Sequence, residues 1–151
     1  MQLKKTVKKV FVDGAISPEF ISGSIAKHQS KTTIGAHQIF LGQVREDQIE
    51  GKNVKAIKYS AYEQMAENEF SRIREEAFEK FDLVCLHIYH SLNVVNAGEI
   101  CLFVFVSSSH REASNKGLQF IVEEIKSKVP VFGKEIFEDD TYKWKENLNN
   151  D

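Results

Sequence analysis

Residues 107–135 read SSSHREASNKGLQFIVEEIKSKVPVFGKE, and this stretch organises the rest of the chain. It follows an apolar run, residues 100–106 (ICLFVFV), that reads as a buried strand. Ser109 and Glu112 have the Ser-x-x-Glu spacing of a capping box, which predicts a helix start there. His110 and Arg111 then fall in the first turn, where unpaired backbone N–H groups and the helix dipole already favour an anion. Leu118, Ile121, Val122, Ile125 and Val129 recur at helical spacing, and Pro130 ends the pattern. Lys126 lies one turn beyond Val122, on the border of the apolar stripe, with Lys128, Lys134 and Glu135 close behind. A cationic helix start and a lysine-rich helix end suggest one site for an anionic small molecule.

Each of these residues also has a plainer reading. His110 and Arg111 can be exposed first-turn residues, although a cation there opposes the dipole unless an anion sits beside it. Lys126 can snorkel, with its stem buried and its ammonium in water, or it can act as a proton donor, acceptor or covalent nucleophile. Arg45, at a strand end in Gly42-Gln-Val-Arg45-Glu46, can hold a phosphate bidentately or pair with Glu46. Ser107, Ser108 and Ser109 lack the Gly-x-Ser-x-Gly elbow of a serine nucleophile, and the expected cap occupies Ser109. Phe132, Phe137, Tyr142 and Trp144 read as core and lid aromatics near the end of the chain.

Working outward, residues 7–12 read as a first strand, and Gly14 turns the chain. Ser17 caps a helix with Pro18 at its first position and Phe20, Ile21 and Ile25 on its apolar side. Residues 34–44 read as a second strand, 46–53 as an exposed loop, and 54–62 as a half-buried strand whose alternation slips at Tyr59. Residues 65–81 carry Phe70, Ile73, Ala77 and Phe81 at helical spacing. Two strands follow at 83–90 and 99–106, joined through Asn93, Asn96 and Gly98. After the long helix, residues 135–144 form a last strand or short hairpin, and a polar tail begins at about 146. The order β-α-β-β-α-β-β-α-β predicts an α+β domain with mixed or antiparallel strands and about three helices, spanning 1–151 as one unit.

With 151 residues, 42% hydrophobic and 28% charged, the chain can bury a core of ordinary size. A net charge of −2 argues against a nucleic-acid binder, which needs many surplus cations. No apolar run approaches a membrane span and no signal pattern opens the chain, so a cytoplasmic location without membrane contact is expected. Cys85 and Cys101 match neither a redox pair nor a zinc ligand set and read as buried thiols. His87 and His90, three apart on a strand, point to opposite faces and cannot share a metal. No metal and no cofactor are expected.

Gly42-Gln-Val-Arg45, Ser108-Ser-His-Arg111, and Lys126-Ser-Lys-Val-Pro130 through Lys134-Glu-Ile-Phe-Glu138 resemble the large, catalytic subunit of molybdopterin synthase. The similarity runs in order from about Gly35 to about Lys145. It implies an α/β-hammerhead-like fold, a homodimer, and a heterotetramer with a small ubiquitin-like subunit. The implied activity is sulfur transfer in molybdenum cofactor biosynthesis. Cyclic pyranopterin monophosphate becomes molybdopterin, and a thiocarboxylate on the partner's C-terminal Gly-Gly supplies the sulfur. The resemblance places the catalytic lysine on Lys126 and the substrate-anion residues on Arg45, His110 and Arg111. Lys126, Lys134 and Glu135 join that substrate set.

Two positions depart from the family pattern. A second functional lysine is expected where Gly133 stands, so that Lys134 would have to substitute for it. His90-Ser-Leu-Asn93 stands where the family usually has His-Arg-Ile-Gly. Gly133 keeps open an alternative reading, in which the chain is a non-catalytic relative serving as a binding or scaffold protein.

Overall fold

The computed structural model of the chain describes residues 9–145. The expected polar tail and the first two residues of the expected strand at 7–12 lie outside them. In chain order the elements are β1 (Phe11–Asp13), α1 (Pro18–His28), β2 (Ala36–Gln43), β3 (Gln48–Ile49), β4 (Lys52–Ala61) and α2 (Glu63–Lys80). They continue with β5 (Leu83–Asn96), β6 (Ile100–Ser108), α3 (Arg111–Lys128), β7 (Val131–Phe137) and β8 (Tyr142–Trp144). The strands form one sheet in the order β2-β6-β5-β4-β7-β8, with β3 paired to β4 and β1 to β5. Among the described residues only β1–β5 is parallel, so the sheet is mixed, as expected for this α+β chain with three helices.

Both faces of the sheet are covered, and alternation along β6 decides which residue serves which side. Leu102, Val104 and Val106 join Leu86, Ile88, Phe70, Ile73, Ile121 and Ile125 beneath α2 and α3. Phe103 and Phe105 point the other way and pack with Ile16 and Ile21 beneath α1. The first helix starts as its sequence predicts, with the Phe20 N–H donating to the Ser17 hydroxyl at 3.1 Å and Pro18 at the first position. Arg72 on α2 reaches Glu124 on α3 at 3.2 Å and fixes the two helices side by side over the sheet.

Several expectations are corrected. Residues 46–53 are not a plain loop: β3 folds back on β4 through Glu50 and Gly51, both at positive φ. The fifth strand runs on to Asn96 instead of stopping at His90. It passes from β6 to β4 as its partner through Asn93, which adopts φ 69° and donates from Nδ2 to Asp13 Oδ1 at 2.7 Å. Asparagine is among the residues other than glycine that best tolerate this region. The slip in alternation before Tyr59 is a bulge between Val54 and Ala56. Tyr142 and Trp144 are exposed, and Phe132 is exposed against Tyr62, so only Phe137 of the four aromatics is core.

The predicted capping box also fails. His110 is the N-cap residue and makes no side-chain cap bond. The fully buried Ser108 hydroxyl takes over: it donates to the His110 carbonyl at 2.5 Å and accepts from the Ser114 N–H at 3.1 Å. The reason lies in a contact from the start of the second strand. Gly35 packs so tightly on this junction that a Cβ there would lie 2.2 Å from the Ser109 carbonyl oxygen. The Gly35 N–H also bonds the Ser108 carbonyl at 2.9 Å, which holds the strand pairing through Ser108 and delays the helix.

Candidate active site

Lys126 sits in the last turn of α3, exposed and without a hydrogen bond or ion pair to any described residue. Its charge acts on two groups of the sheet below, the His90 imidazole and the Cys101 thiol. His90 is buried, with its ring edge-on to Tyr59 at 5.3 Å, and its Nδ1 donates to the Ser91 carbonyl at 2.8 Å. Burial, with the Lys126 charge adding to it, pushes the His90 pKa down to about 4, so the ring is neutral near pH 7. The Cys101 thiol is pushed up by burial, against the pull of Tyr59, Lys126 and Lys145, and it donates to the Gly42 carbonyl at 3.4 Å. Burial also raises the Tyr59 hydroxyl. The His90 ring, the Tyr59 hydroxyl and the Cys101 thiol are thus neutral near pH 7, and the Lys126 charge is felt at two of them, His90 and Cys101.

Glu135 on β7 adds to this group. It is 6% exposed, and burial raises its carboxyl while Lys145, Lys143 and Arg45 pull it down and Asp47 raises it. Arg45 pairs with Asp47 (Nε to Oδ1, 3.2 Å), not with Glu46, and stays exposed, so an incoming anion can recruit it. Gly133 faces the same side as Glu135 and Tyr59. A Cβ there would meet Ile57 Cγ2 at 3.0 Å, Tyr59 Cε1 at 3.5 Å and Lys145 Cβ at 3.8 Å. Lys145 is tied to that spot by its N–H, which donates to the Gly133 carbonyl at 2.8 Å.

Lys134 points away. Neighbours on a strand face opposite sides, and its ammonium lies 4.3 Å from the Tyr142 ring centroid and 5.8 Å from that of Trp144. The structure therefore sets Lys134 on the outer face, apart from Gly133 and Glu135. His110 and Arg111 are also apart from Lys126. Fifteen residues of continuous helix separate Arg111 from Lys126, about 22 Å at 1.5 Å per residue. Both side chains at the helix start are exposed and lack partners among the described residues. The two helix ends cannot form one pocket within a single chain.

Sequence reasoning brought Lys126, Arg45 and Glu135 to this place but missed Tyr59, His90, Cys101 and Lys145. Tyr59 carried a signal, its slip in alternation. Lys145 carried none, because its position depends on the β7–β8 pairing.

The sequence model of the MoaE protein family matches residues 16–128, three quarters of the chain and the whole frame that carries Arg45, His90, Arg111 and Lys126. The chain belongs to this family. It is 34% identical over 125 residues to the molybdopterin synthase catalytic subunit of Rattus norvegicus, covering 83% of this chain and 62% of the rat protein. The chain thus spans less than two thirds of that relative's length. The crystal structure of molybdopterin synthase from Staphylococcus aureus superposes with a TM-score of 0.76 at 29% identity, over 91% of this chain and 96% of that one. A chain from the complex of subunits 1 and 2 of molybdopterin-converting factor of Helicobacter pylori matches in fold. Its TM-score is 0.78 at 18% identity, over 91% and 89% of the two chains. Among the described residues no helix is long and apolar enough to cross a membrane.

Proposed function

We propose that this MoaE-family chain is the sulfur-transferring subunit of a molybdopterin synthase. It converts cyclic pyranopterin monophosphate to molybdopterin, taking sulfur from the thiocarboxylated C-terminal Gly-Gly of a small ubiquitin-like partner. The observation that carries this reading is the unpaired Lys126 ammonium, whose charge is felt at the neutral His90 and Cys101. Both the thiocarboxylate and the substrate phosphate are anions, and an ammonium with no partner of its own can hold either through charge-assisted hydrogen bonds. Cys101 is kept as a neutral thiol, which suits a reaction whose sulfur arrives from outside.

Lys145 supplies the second cation. Its stem occupies the space next to Gly133 where a lysine side chain at 133 would start, and its charge acts on Glu135 and Cys101. This supports the catalytic reading over the scaffold one, which rested on the missing lysine at 133. His110 and Arg111, about 22 Å away in the same chain, serve an anion site only as the contribution of a second protomer. The homodimer expected for this chain supplies that protomer, and two small subunits complete a heterotetramer.

The test is reconstitution. The protein is mixed with cyclic pyranopterin monophosphate and a thiocarboxylated small subunit, and dithiolene product is followed. Product formation is expected. No product, where the rat protein turns over under the same conditions, overturns the assignment.

A further inference from the structure

On the opposite face of the sheet, under α1, lies a cluster that sulfur transfer does not use. The last residue of α1, His28, is buried at 8% exposure, and its Nε2 lies 2.9 Å from His87 Nε2 on β5. Cys85, two residues before His87, is buried at 5% exposure, and the three possible ligand atoms lie within 4.8 Å of one another. Phe105 closes the inner side, 4.8 Å from the His28 ring centroid. We propose that His28, Cys85 and His87 form a binding site for a zinc-class divalent cation.

Three features fit this site. The first is the donor set, two imidazole nitrogens and one sulfur, which selects borderline and soft metals over magnesium or calcium. The second is spacing. Zinc bonds of about 2.0–2.1 Å to nitrogen and 2.3 Å to sulfur put tetrahedral nitrogens about 3.3 Å apart and nitrogen about 3.6 Å from sulfur. The observed 2.9 Å between the two Nε2 atoms needs to open by about 0.4 Å, and Cys85 Sγ, within 4.8 Å of both nitrogens, needs to close by up to about 1.2 Å. The third is orientation. His28 Nδ1 lies 2.7 Å from the Ser24 carbonyl, which can only accept, so Nδ1 carries the hydrogen and Nε2 presents its lone pair to the cluster. Ligating histidines are commonly fixed by such an outer bond.

On binding, the hydrogen between the two Nε2 atoms passes through solvent to His87 Nδ1, so that both imidazoles ligate as neutral rings, Cys85 gives its thiol proton to solvent and ligates as thiolate, and water takes the fourth position. One cation competes for the site. Lys31 Nζ donates to Cys85 Sγ at 3.0 Å, and this exposed side chain must swing outward. The nearby His37 is engaged with the Ser107 hydroxyl at 2.7 Å and stays outside the ligand set. The earlier exclusion of a shared metal for His87 and His90 still stands, since His90 faces α2 and α3. The partner of His87 comes instead from a helix 59 positions away.

The full chain is titrated with Co(II), then with Zn(II). One equivalent is expected to bind, with a thiolate-to-cobalt charge-transfer band that Zn(II) abolishes. Cys85→Ser removes the band, and His28→Gln or His87→Gln weakens binding by more than the roughly 10- to 100-fold typical of losing an outer-shell partner. Lys31→Ala strengthens binding, because it removes the competing cation. Absence of the band in the wild-type protein, or its survival in Cys85→Ser, overturns the site. Should a variant fail to fold, alkylation of the wild-type protein decides. Zn(II) should slow modification of Cys85 and leave Cys101 unchanged, and equal rates at Cys85 with and without Zn(II) reject the proposal.

Discussion

The two ends of α3 carry cations in opposite circumstances. At the C-terminal end, Lys126 meets the negative pole of the helix dipole, and its charge is felt at the buried His90 and Cys101. At the N-terminal end, Arg111 meets the positive pole, is exposed, and has no counter-charge among the described residues. One end is built by its own chain. The other is incomplete until an anion arrives, and the helix is too long for both ends to hold the same one within a chain. One helix signature can therefore mark two separate cationic ends instead of one pocket.

The built end should show the largest effect. Lys126→Ala is expected to lower dithiolene formation by about 10²–10³-fold, the scale of removing one group that stabilises developing charge. Stability should change by no more than about 0.5 kcal/mol, because the side chain is exposed and unpaired. Turnover close to that of the wild type would move the chemistry away from this end.

The neutral ring of His90 makes a separate prediction about pH. His90 is depressed to about 4 in the fold, against about 6.5 in the unfolded chain. Between those values the unfolded state binds a proton that the native state refuses, so stability falls as pH falls. The His90 contribution is fully present above about pH 6.5. It is lost at about 1.4 kcal/mol per pH unit on the way down to 4. Denaturant melts at pH 7, 6, 5 and 4, repeated with His90→Gln, isolate it. Equal slopes in the two proteins would mean that the ring is not held neutral.

At the incomplete end, Arg111→Ala should weaken binding of the pterin precursor by about 1.5–3 kcal/mol, the loss of one charge-assisted contact. A sharper form mixes protomers. If the two half-sites meet across a dimer, combining Lys126→Ala chains with Arg111→Ala chains restores one intact site per mixed dimer. Activity should then rise above that of either variant alone. No recovery on subunit exchange would refute the shared site.

The frame was readable because its signals are local. Ser17-Pro18 announced α1, the periods in α2 and α3 were unbroken, and the apolar run of β6 could only be a buried strand. Lys126, Arg45 and Glu135 were named because the motifs that resemble the family carry them. Losses came where a distant contact outweighs a local preference. The close approach of Gly35 displaced the Ser109 cap, and a bulge reset the phase at Tyr59. His28 and Lys145 reached their partners only through tertiary packing. The lysine role expected near Gly133 was looked for at the next residue in sequence, whereas the fold brings in a residue twelve positions on.

Lys145 should therefore matter more than its place near the chain's end suggests. Lys145→Ala is expected to cost roughly tenfold in turnover, the order of about 1.4 kcal/mol for one partly exposed cation. Adding Gly133→Lys to that variant should recover part of the loss, because removing the Lys145 stem opens the space a side chain at 133 needs. The single change Gly133→Lys should instead crowd Ile57 and lower stability by about 1 kcal/mol. An unaltered rate in Lys145→Ala would return the question to Lys134.

The smallest effect is expected at Lys134. It is adjacent in sequence to Gly133, yet strand alternation sends it to the outer face with Ser60 and Trp144 across the sheet. Its ammonium there stacks on Tyr142 and Trp144, an exposed cation–π contact of about 0.5–1 kcal/mol. Lys134→Ala should accordingly lower stability by about that amount and leave turnover within about twofold of wild type. Lys134→Arg should restore the stability, since guanidinium also stacks on aromatic rings. A large loss of turnover in Lys134→Ala with unchanged stability would contradict both halves of this argument. The side chain would then have to reach the Glu135 face, and the register Lys134↔Lys58 that directs it outward would be the first feature to re-examine.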